Sequence, residues 1–335
     1  MTVRFALLGA GRIGKSHARA IDDNPDATLV AVYDPVKEAA QAMADHYHCE
    51  IYTMDEMETA DDIDVVAICT PTDTHADLIE KYARAGKVIF CEKPIDLDIR
   101  RVKSCLKTVQ DTGARLMVGF NRRFDKHFKA LQNAIIDGEI GDIEQIIITS
   151  RDPDLPPLDY IAVSGSIFRD MTIHDIDMAR FLLGDDDEIN SVYATGSVLV
   201  DSNVKIHGDY DSAMLVMRTT NDKLIHINNS RRASYGYDQR IEVHGNKGMA
   251  AAHNPNLTLC NIANSSGFHR PPLHNFFMTR YAQAYAEEIS MLTQAVINDT
   301  PLKPTGKDGL MALAIADAAL KSAQTGQIVK LSETL

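Results

Sequence analysis

The sequence lacks an apolar run of membrane-spanning length, a surplus of basic residues and any pattern that predicts an N-terminal leader. No stretch approaches the roughly 18 consecutive apolar residues of a transmembrane helix, so we expect no membrane span. No charged segment followed by a long apolar core opens the chain, which indicates no signal peptide. The formal net charge of −13 argues against a nucleic-acid surface, because such surfaces need clustered basic groups.

Cysteine is also sparse and unordered in this sequence. The five cysteines are odd in number and scattered, and no two of them form a CxxC motif. This pattern predicts reduced cysteines and a cytoplasmic protein. The 335 residues are enough for two domains with separate cores, and the 45% hydrophobic content is that of an ordinary globular protein.

Residues 3–14, VRFALLGAGRIG, organise the first part of the chain. A short apolar run of strand length leads into a glycine turn, and a helical pattern follows. This order is typical of a dinucleotide-binding unit, in which the pyrophosphate lies on the N-terminus of the helix. The first glycine permits the turn, the second admits the pyrophosphate, and the third allows close packing of helix on strand. The predicted cofactor contacts are Gly9, Gly11, Arg12, Ile13 and Gly14.

Asp34 ends the second apolar run, about 20 residues after the last glycine, where the dinucleotide fingerprint has an acid. Its carboxylate is predicted to accept hydrogen bonds from a ribose and to repel a 2′-phosphate, which favours NAD over NADP. The glycine motif alone is weak, because glycine turns are common for structural reasons. Asp34-Pro35 is also a plausible turn or helix N-cap, and both interpretations are compatible.

Apolar runs alternate with helical patterns up to about residue 120, which predicts a parallel sheet with helices on both faces. Ligands bind such sheets beyond the carboxyl ends of the strands. We predict an α/β Rossmann domain over residues 1–121. Its strands are 3–8, 28–33, 64–69, 87–91 and 115–119, and its helices are 12–22, 36–46, 74–85 and 97–112.

Two predicted strand ends carry polar residues. Thr70, Pro71, Thr72 and His75 follow the third strand and are predicted to contact the cofactor. The alternative is that this segment only caps the next helix, through Thr74 or Asp73. Glu92, Lys93 and Pro94 follow the fourth strand and, with Asn121, are further predicted cofactor contacts. A lysine at that position is able to hold a substrate hydroxyl and share in proton transfer; otherwise it is a solvated loop residue.

After residue 121 the pattern changes to successive strands, which predicts an α+β domain over residues 122–335 with a large, mostly antiparallel open sheet. One face of such a sheet is free to pack on another subunit. Asn121 and Arg122 either contact ligand or begin the helix predicted over 123–136. The strand-like runs are 144–150, 191–200, 213–219, 223–231 and 240–244, with a hairpin loop at 219–222 and last helices at 278–298 and 307–325.

Residues 165–184 contain Asp170 and His174, four positions apart in a helical pattern that ends at Gly184. On a helix this spacing brings the two side chains to one face. A carboxylate beside an imidazole raises its basicity, which suits a general base for an alcohol. A capping or core arrangement is the alternative. Asp175 and Asp177 suggest metal ligands, but no second ligand cluster accompanies them, so we predict no metal.

These motifs together resemble the Gfo/Idh/MocA oxidoreductases: GAGRIG after the first strand, CTPT before His75, EKP at residues 92–94, and the D-x-x-x-H segment. The resemblance covers nearly the whole chain in the expected order. It implies that Lys93, Asp170 and His174 are catalytic and that Pro94 shapes the strand end for the nicotinamide. It also implies a homotetramer built on the open sheet. The sequence departs from the family pattern at Ser164-Gly165-Ser166, where several consecutive glycines are usual.

Residues 231–240 supply tyrosine, arginine and glycine between two predicted strands, either as donors to a polyol or as a hairpin turn. This stretch resembles the inositol-oxidising branch of the family, which implies Tyr235 as a substrate contact. The resemblance implies NAD-dependent oxidation of a cyclic polyol, with myo-inositol as the expected substrate. The alternatives are scyllo-inositol, chiro-inositol or another sugar as substrate, or a non-catalytic NAD-binding sugar sensor. The predicted substrate-binding residues are Lys93, Asn121, Arg122, Asp170, His174 and Tyr235.

Overall fold

The computed structural model describes residues 2–335, which divide into two compact units. The first unit contains the residues up to Phe124 together with Ala282–Leu313. The second unit contains Asp125–Tyr281 and Ala314–Leu335. Across residues 2–335, no helix combines the length and the apolar character that a membrane crossing requires.

Strands and helices alternate through the first 124 residues, as the sequence predicts. They form one six-stranded sheet with the order β3-β2-β1-β4-β5-β6, and every neighbouring pair is parallel. This is the strand order of a doubly wound dinucleotide-binding fold. The elements are β1 (Val3–Leu8), α1 (Arg12–Asp22), β2 (Ala27–Tyr33), α2 (Lys37–Tyr47), β3 (Glu50–Ile51), α3 (Met54–Thr59), β4 (Val65–Ile68), α4 (His75–Arg84), β5 (Val88–Glu92), α5 (Ile99–Thr112) and β6 (Leu116–Gly119).

The central strands are continuous apolar runs because helices cover the sheet on both faces. All four residues of β4 and five of the six in β1 are buried. The sequence prediction did not include β3 and α3. β3 is a two-residue, exposed edge strand, and α3 is six residues long, so neither carries a hydrophobic pattern long enough to detect.

A second sheet of seven strands follows, with the order β12-β11-β7-β10-β9-β8-β15. All its neighbouring pairs are antiparallel except the parallel pair of β7 and β10. The fold class is therefore confirmed. The elements are α6 (Lys126–Ile136), β7 (Ile143–Arg151), α7 (Leu158–Val163), α8 (Ile173–Leu183), β8 (Ile189–Ser197), β9 (Ser212–Thr219), β10 (Leu224–Ser230), β11 (Asp238–Gly245), β12 (Gly248–Ala252), β13 (Ile262–Asn264), β14 (Gly267–His269), α9 (Phe277–Arg280), α10 (Ala282–Ile297), α11 (Gly306–Thr325) and β15 (Val329–Lys330).

The connection at residues 231–237 is not a hairpin. β7 lies between β10 and β11 in the sheet, so the chain crosses over β7 at this point. By contrast, β9 and β10 pair directly, and the predicted loop at 219–222 joins them with Asp222 at φ 63°. The difference arises because β7 enters the sheet from a distant part of the sequence, and local pattern does not report such pairing.

Helix α10 belongs to the first unit, whereas the sequence prediction assigned residues 122–335 to one second domain. The helix packs on α1. Its Tyr285 ring lies 5.3 Å from the ring of His17, and Asn24 donates from Nδ2 to Oγ1 of Thr293 at 3.2 Å. The chain returns to the first unit after about 160 residues, and no local change in composition indicates this return.

Candidate active site

At two of the three glycines in the turn after β1, a side chain would clash with the backbone. Gly9 has φ +98°, and a Cβ there would lie 2.5 Å from the carbonyl oxygen of Cys69. A Cβ on Gly14 would lie 1.8 Å from the carbonyl oxygen of Gly9, so this glycine lets α1 pack close to the strand. A Cβ on Gly11 would meet nothing within 4 Å. Gly11 therefore leaves open space at the start of α1, which fits a pyrophosphate close to the backbone.

Asp34 faces the glycine turn. Its Oδ2 accepts from the backbone N–H of Ala10 at 2.7 Å, and its Oδ1 accepts from Val36 N–H at 2.8 Å. The second contact is a local turn of the aspartate, so the turn interpretation of Asp34-Pro35 is confirmed, and ribose binding by Asp34 stays a prediction. Arg12 is exposed and Ile13 is half-buried at the beginning of α1. The predicted cofactor contacts of this region are thus grouped around one turn.

The segment after β4 is tied to the segment after β5 through a histidine. His75 is buried, with Nε2 2.8 Å from the Thr70 carbonyl oxygen and Nδ1 2.8 Å from the Pro94 carbonyl oxygen. The His75 ring therefore lies between the backbone after β4 and the backbone after β5 and connects the two. Pro71 is exposed and Thr72 half-buried. We expect any cofactor contacts of this segment to come from Thr70, Pro71 and Thr72, with His75 positioning them.

The end of β5 places a buried carboxylate beside Lys93. Glu92 Oε1 lies 2.6 Å from His17 Nε2, and its Oε2 accepts from the Lys93 backbone N–H at 3.2 Å. A Cβ on Gly119, at the end of neighbouring β6, would lie 3.2 Å from Glu92 Cδ, so the glycine makes room for this side chain. Lys93 is half-buried, and the Lys93–Pro94 peptide bond is cis.

Sequence reasoning missed His17 and Glu288. Glu288 on α10 is fully buried, and neither carboxylate oxygen has a hydrogen-bond partner within residues 2–335. Burial, and next the charge of Glu92, raise the pKa of Glu288 well above its usual range. Both residues were detectable as polar positions on apolar helix faces. Glu288, for example, falls three residues after Tyr285 and four before Leu292, which are also buried.

Residues Asn121 and Arg122 lie in the short 3₁₀ turn that follows β6, and both are buried. The helix predicted over 123–136 begins later, at Lys126, because Asp125 accepts from the N–H groups of the first turn. Arg123 donates to Asp308 Oδ1 at 3.0 Å within the same unit. The contact roles of Asn121 and Arg122 stay predictions.

In the second unit, Asp170 is held at both carboxylate oxygens. Oδ1 accepts from the Tyr160 hydroxyl at 2.7 Å, and Oδ2 accepts from Arg231 Nη2 at 3.3 Å. Asp170 lies in a π-helical turn, Phe168–Thr172, which runs directly into α8. Such turns are frequent at functional sites. The two donors restrict the orientation of the carboxylate.

His174 is half-buried in the first turn of α8, and the adjacent Asp175 anchors that turn to the sheet. Asp175 is buried and accepts from Ser150 Oγ at 2.5 Å and from Asn229 Nδ2 at 2.7 Å. Ser150 lies on β7 and Asn229 on β10, so these two strands fix the helix end that carries His174. Within residues 2–335, no group of three or more His, Cys, Asp or Glu side chains is arranged to hold a metal ion.

Tyr235 is half exposed, and its hydroxyl is already engaged. It donates to Asp238 Oδ2 at 2.6 Å and accepts from Arg151 Nη1 at 2.9 Å. Burial, with the hydrogen bond to Asp238, raises the pKa of Tyr235. The hydroxyl proton is committed to Asp238, so a polyol would meet an acceptor lone pair or the ring, and not the donor that the sequence suggested.

Comparisons with known proteins identify the family of the chain. Residues 3–120 match the Gfo/Idh/MocA oxidoreductase family model with an NAD-binding Rossmann fold, and residues 128–251 match the C-terminal domain of that family. The chain is 61% identical to inositol 2-dehydrogenase of Rhizobium meliloti, over 96% of this chain and 97% of that protein.

Two solved structures are similar over almost their whole length. A myo-inositol dehydrogenase of Corynebacterium glutamicum is 45% identical, with a TM-score of 0.95 and 99% of each chain covered. A scyllo-inositol dehydrogenase of Lactobacillus casei, with bound NAD(H) and scyllo-inositol, is 30% identical with a TM-score of 0.92. This match covers 99% of the present chain and 100% of the other. The chain therefore belongs to the Gfo/Idh/MocA oxidoreductase family, and its first unit contains the NAD-binding Rossmann fold of that family.

Proposed function

We propose that the protein is an NAD-dependent dehydrogenase that oxidises myo-inositol to its 2-keto product, scyllo-inosose. One observation carries the proposal: a chain 61% identical to inositol 2-dehydrogenase of Rhizobium meliloti contains Lys93, Asp170 and His174, the complete predicted catalytic set. A sensor that had lost catalysis would have no need of all three. The open space at Gly11 and the orientation of Asp34 toward the glycine turn support NAD as the cofactor.

The first unit supplies the cofactor contacts. The backbone at the start of α1 would hold the pyrophosphate, because the first N–H groups of a helix have no partner within the helix. Asp34 would accept from the ribose hydroxyls, and its charge would repel a 2′-phosphate. Bound NAD supplies the acceptor for the hydride that leaves the ring carbon.

The remaining steps belong to side chains of this chain. His174 accepts the proton of the reacting hydroxyl, and Asp170 stabilises the imidazolium that forms. Lys93 donates a hydrogen bond to the same oxygen and stabilises its developing negative charge. The substrate thus loses a hydride from carbon and a proton from oxygen, which leaves a ketone. Asn121, Arg122 and Tyr235 complete the proposed substrate contacts.

We also propose a cytoplasmic homotetramer. All five cysteines are free thiols, which suits a reducing compartment. The seven-stranded sheet exposes a row of apolar side chains, and an exposed apolar sheet face is a common subunit interface. The exposed apolar side chains of this sheet face are Ile147, Tyr193, Met214, Val216 and Leu224. Sedimentation velocity tests the subunit number.

Initial rates of NADH formation test the activity directly, with myo-inositol, scyllo-inositol, chiro-inositol and glucose supplied in parallel. We expect the highest kcat/KM with myo-inositol and NAD. Preference for scyllo-inositol would favour the second candidate, which the similar structure with bound scyllo-inositol supports. Bound NAD without oxidation of any of the four would favour the sensor.

A further inference from the structure

Arg231 carries a charge inside the second unit at a place where it touches no solvent. Its side chain is 1% exposed and follows β10 directly. The guanidinium lies 3.3 Å from Asp170 Oδ2 and 3.8 Å from Asp209 Oδ2, while Nε and Nη1 have no hydrogen-bond partner within residues 2–335. Burial of a charge with incomplete hydrogen bonding is costly, so the position requires an explanation.

Asp209 compensates only part of the buried positive charge of Arg231. Its Oδ1 already accepts from the backbone N–H groups of Ile167 at 2.8 Å and Tyr210 at 2.7 Å. Burial raises the pKa of Asp209, and the charge of Arg231 acts in the opposite direction. Arg231 therefore stands between two carboxylates, and Asp209 offsets the positive charge that Arg231 would otherwise impose on Asp170.

We propose that Arg231 is a positioning residue for the dehydrogenase reaction: it fixes the carboxylate of Asp170 toward His174, with Asp209 as its counter-charge. The inference rests on the proposed function. Arg231 is too buried to contact substrate, so it acts through Asp170. Tyr160 fixes one oxygen of Asp170 and Arg231 the other, which prevents the carboxylate from rotating as His174 takes up the proton.

The charges of Asp170, Asp209 and Arg231 determine how this positioning role would affect His174. Two carboxylates and one guanidinium leave one net negative charge in the cluster that holds Asp170, four residues before His174 in the chain. That charge is what favours the imidazolium formed during oxidation of the alcohol. Arg231 lies against Asp170 and Asp209, and Asp170 also contacts Tyr160, so we expect a change at Arg231 to act on these groups and, through Asp170, on His174.

The test compares kcat, KM and the pH dependence of kcat/KM for Arg231→Met, Arg231→Lys and the double variant Arg231→Met/Asp209→Asn. We expect Arg231→Met to lower kcat at least about tenfold while NADH binding is retained. Loss of a cation raises the pKa of nearby groups, so the acid limb of kcat/KM should move to higher pH. Arg231→Lys should recover part of kcat, because the charge is restored without the planar fork.

The double variant separates positioning from charge neutralisation. It leaves no unpaired buried carboxylate, so it keeps the test valid if Arg231→Met does not fold. We expect its acid limb to return toward the wild-type position while kcat stays low. Recovery of full kcat would show that Arg231 only neutralises Asp209 and would overturn the proposal.

Arg280→Met is the matched control. Arg280 is a buried arginine of the same unit, paired with Asp125 at 2.5 Å, a residue outside the proposed catalytic set. The Arg280→Met variant should have a lower melting temperature than wild type and a kcat within about threefold of the wild-type value. If wild type is active but Arg231→Met stays within that range, the positioning role alone is wrong. If wild type oxidises no polyol, the proposed function fails and the positioning role fails with it.

Discussion

The Nε2 atom of His17 lies 2.6 Å from Oε1 of Glu92, and this contact joins the first helix of the chain to the strand that ends at Glu92, directly before Lys93. The other oxygen of Glu92 accepts from the backbone N–H of Lys93. The helix that begins at the glycine turn thus also fixes the backbone of the predicted catalytic lysine. One buried pair therefore links the helix that follows the glycine turn to the predicted catalytic lysine.

Replacement of His17 by Ala should destabilise the protein by about 1–3 kcal/mol, because it leaves the buried Glu92 carboxylate with one partner fewer. We also expect kcat to fall by about threefold to tenfold, through loosened positioning of Lys93. Urea unfolding and steady-state kinetics measure the two effects. His244→Ala removes a surface histidine and is the control. A His17→Ala protein as stable as wild type would contradict the role of the pair.

Replacement of Lys93 by Ala should lower kcat at least about 100-fold, since the variant loses the donor to the reacting oxygen. NADH affinity should change little, because the glycine turn and Asp34 are untouched. Stopped-flow turnover and NADH fluorescence titration give the two values. Lys103→Ala, at an exposed position of α5, is the matched control. Equal activity of wild type and Lys93→Ala would remove this lysine from the mechanism.

The first unit was predictable because its pattern is local. Each of its long strands is a buried apolar run, and a polar strand end follows at each place where ligand contacts are expected. The return of α10 to this unit and the insertion of β7 between β10 and β11 were not predictable, because both are pairings between distant segments. No motif of contiguous residues reports them.

Replacement of Asp34 by Ser should raise the ratio of kcat/KM for NADP to that for NAD at least about tenfold, because the carboxylate that repels the 2′-phosphate is gone. The hydrogen bond from Ala10 N–H to Asp34 is also lost, so NAD affinity itself should fall. Parallel titrations with the two cofactors measure both. Asp45→Ser, on the exposed face of α2, should leave the ratio unchanged. An unaltered ratio in Asp34→Ser would assign the aspartate to turn structure alone.

Replacement of Glu288 by Gln should stabilise the protein in a pH-dependent way. Burial raises the folded-state pKa of Glu288 above the unfolded value of about 4.3, so the folded protein holds this proton more tightly. Stability is therefore lost as pH rises through the window from the unfolded to the folded pKa.

The glutamine variant has no proton to lose. We expect its melting temperature relative to wild type to increase from about pH 5 to about pH 8, with a gain in unfolding free energy of about 1 kcal/mol or more at the upper end. Glu287→Gln, the adjacent residue, should show no such trend. A difference between Glu288→Gln and wild type that is constant with pH would contradict a raised pKa at this carboxyl.

The site itself was only partly predictable. Spacing made Asp170 and His174 candidates and strand ends made Asp34 and Lys93 candidates, whereas the family resemblance implied the catalytic roles of Lys93, Asp170 and His174. The residues that hold them, Tyr160 and Arg231 at Asp170 and His17 at Glu92, lie 10 to 75 positions away in sequence. Partner choice among buried polar groups depends on packing, which the sequence does not display.

The most direct test of the central claim uses myo-inositol deuterated at carbon 2, incubated with NAD and the wild-type protein. Mass spectrometry of the recovered NADH then reports where the deuterium has gone. Our account predicts one deuterium per NADH formed, with scyllo-inosose as the other product. NADH without deuterium, or no NADH from any inositol isomer, would contradict it.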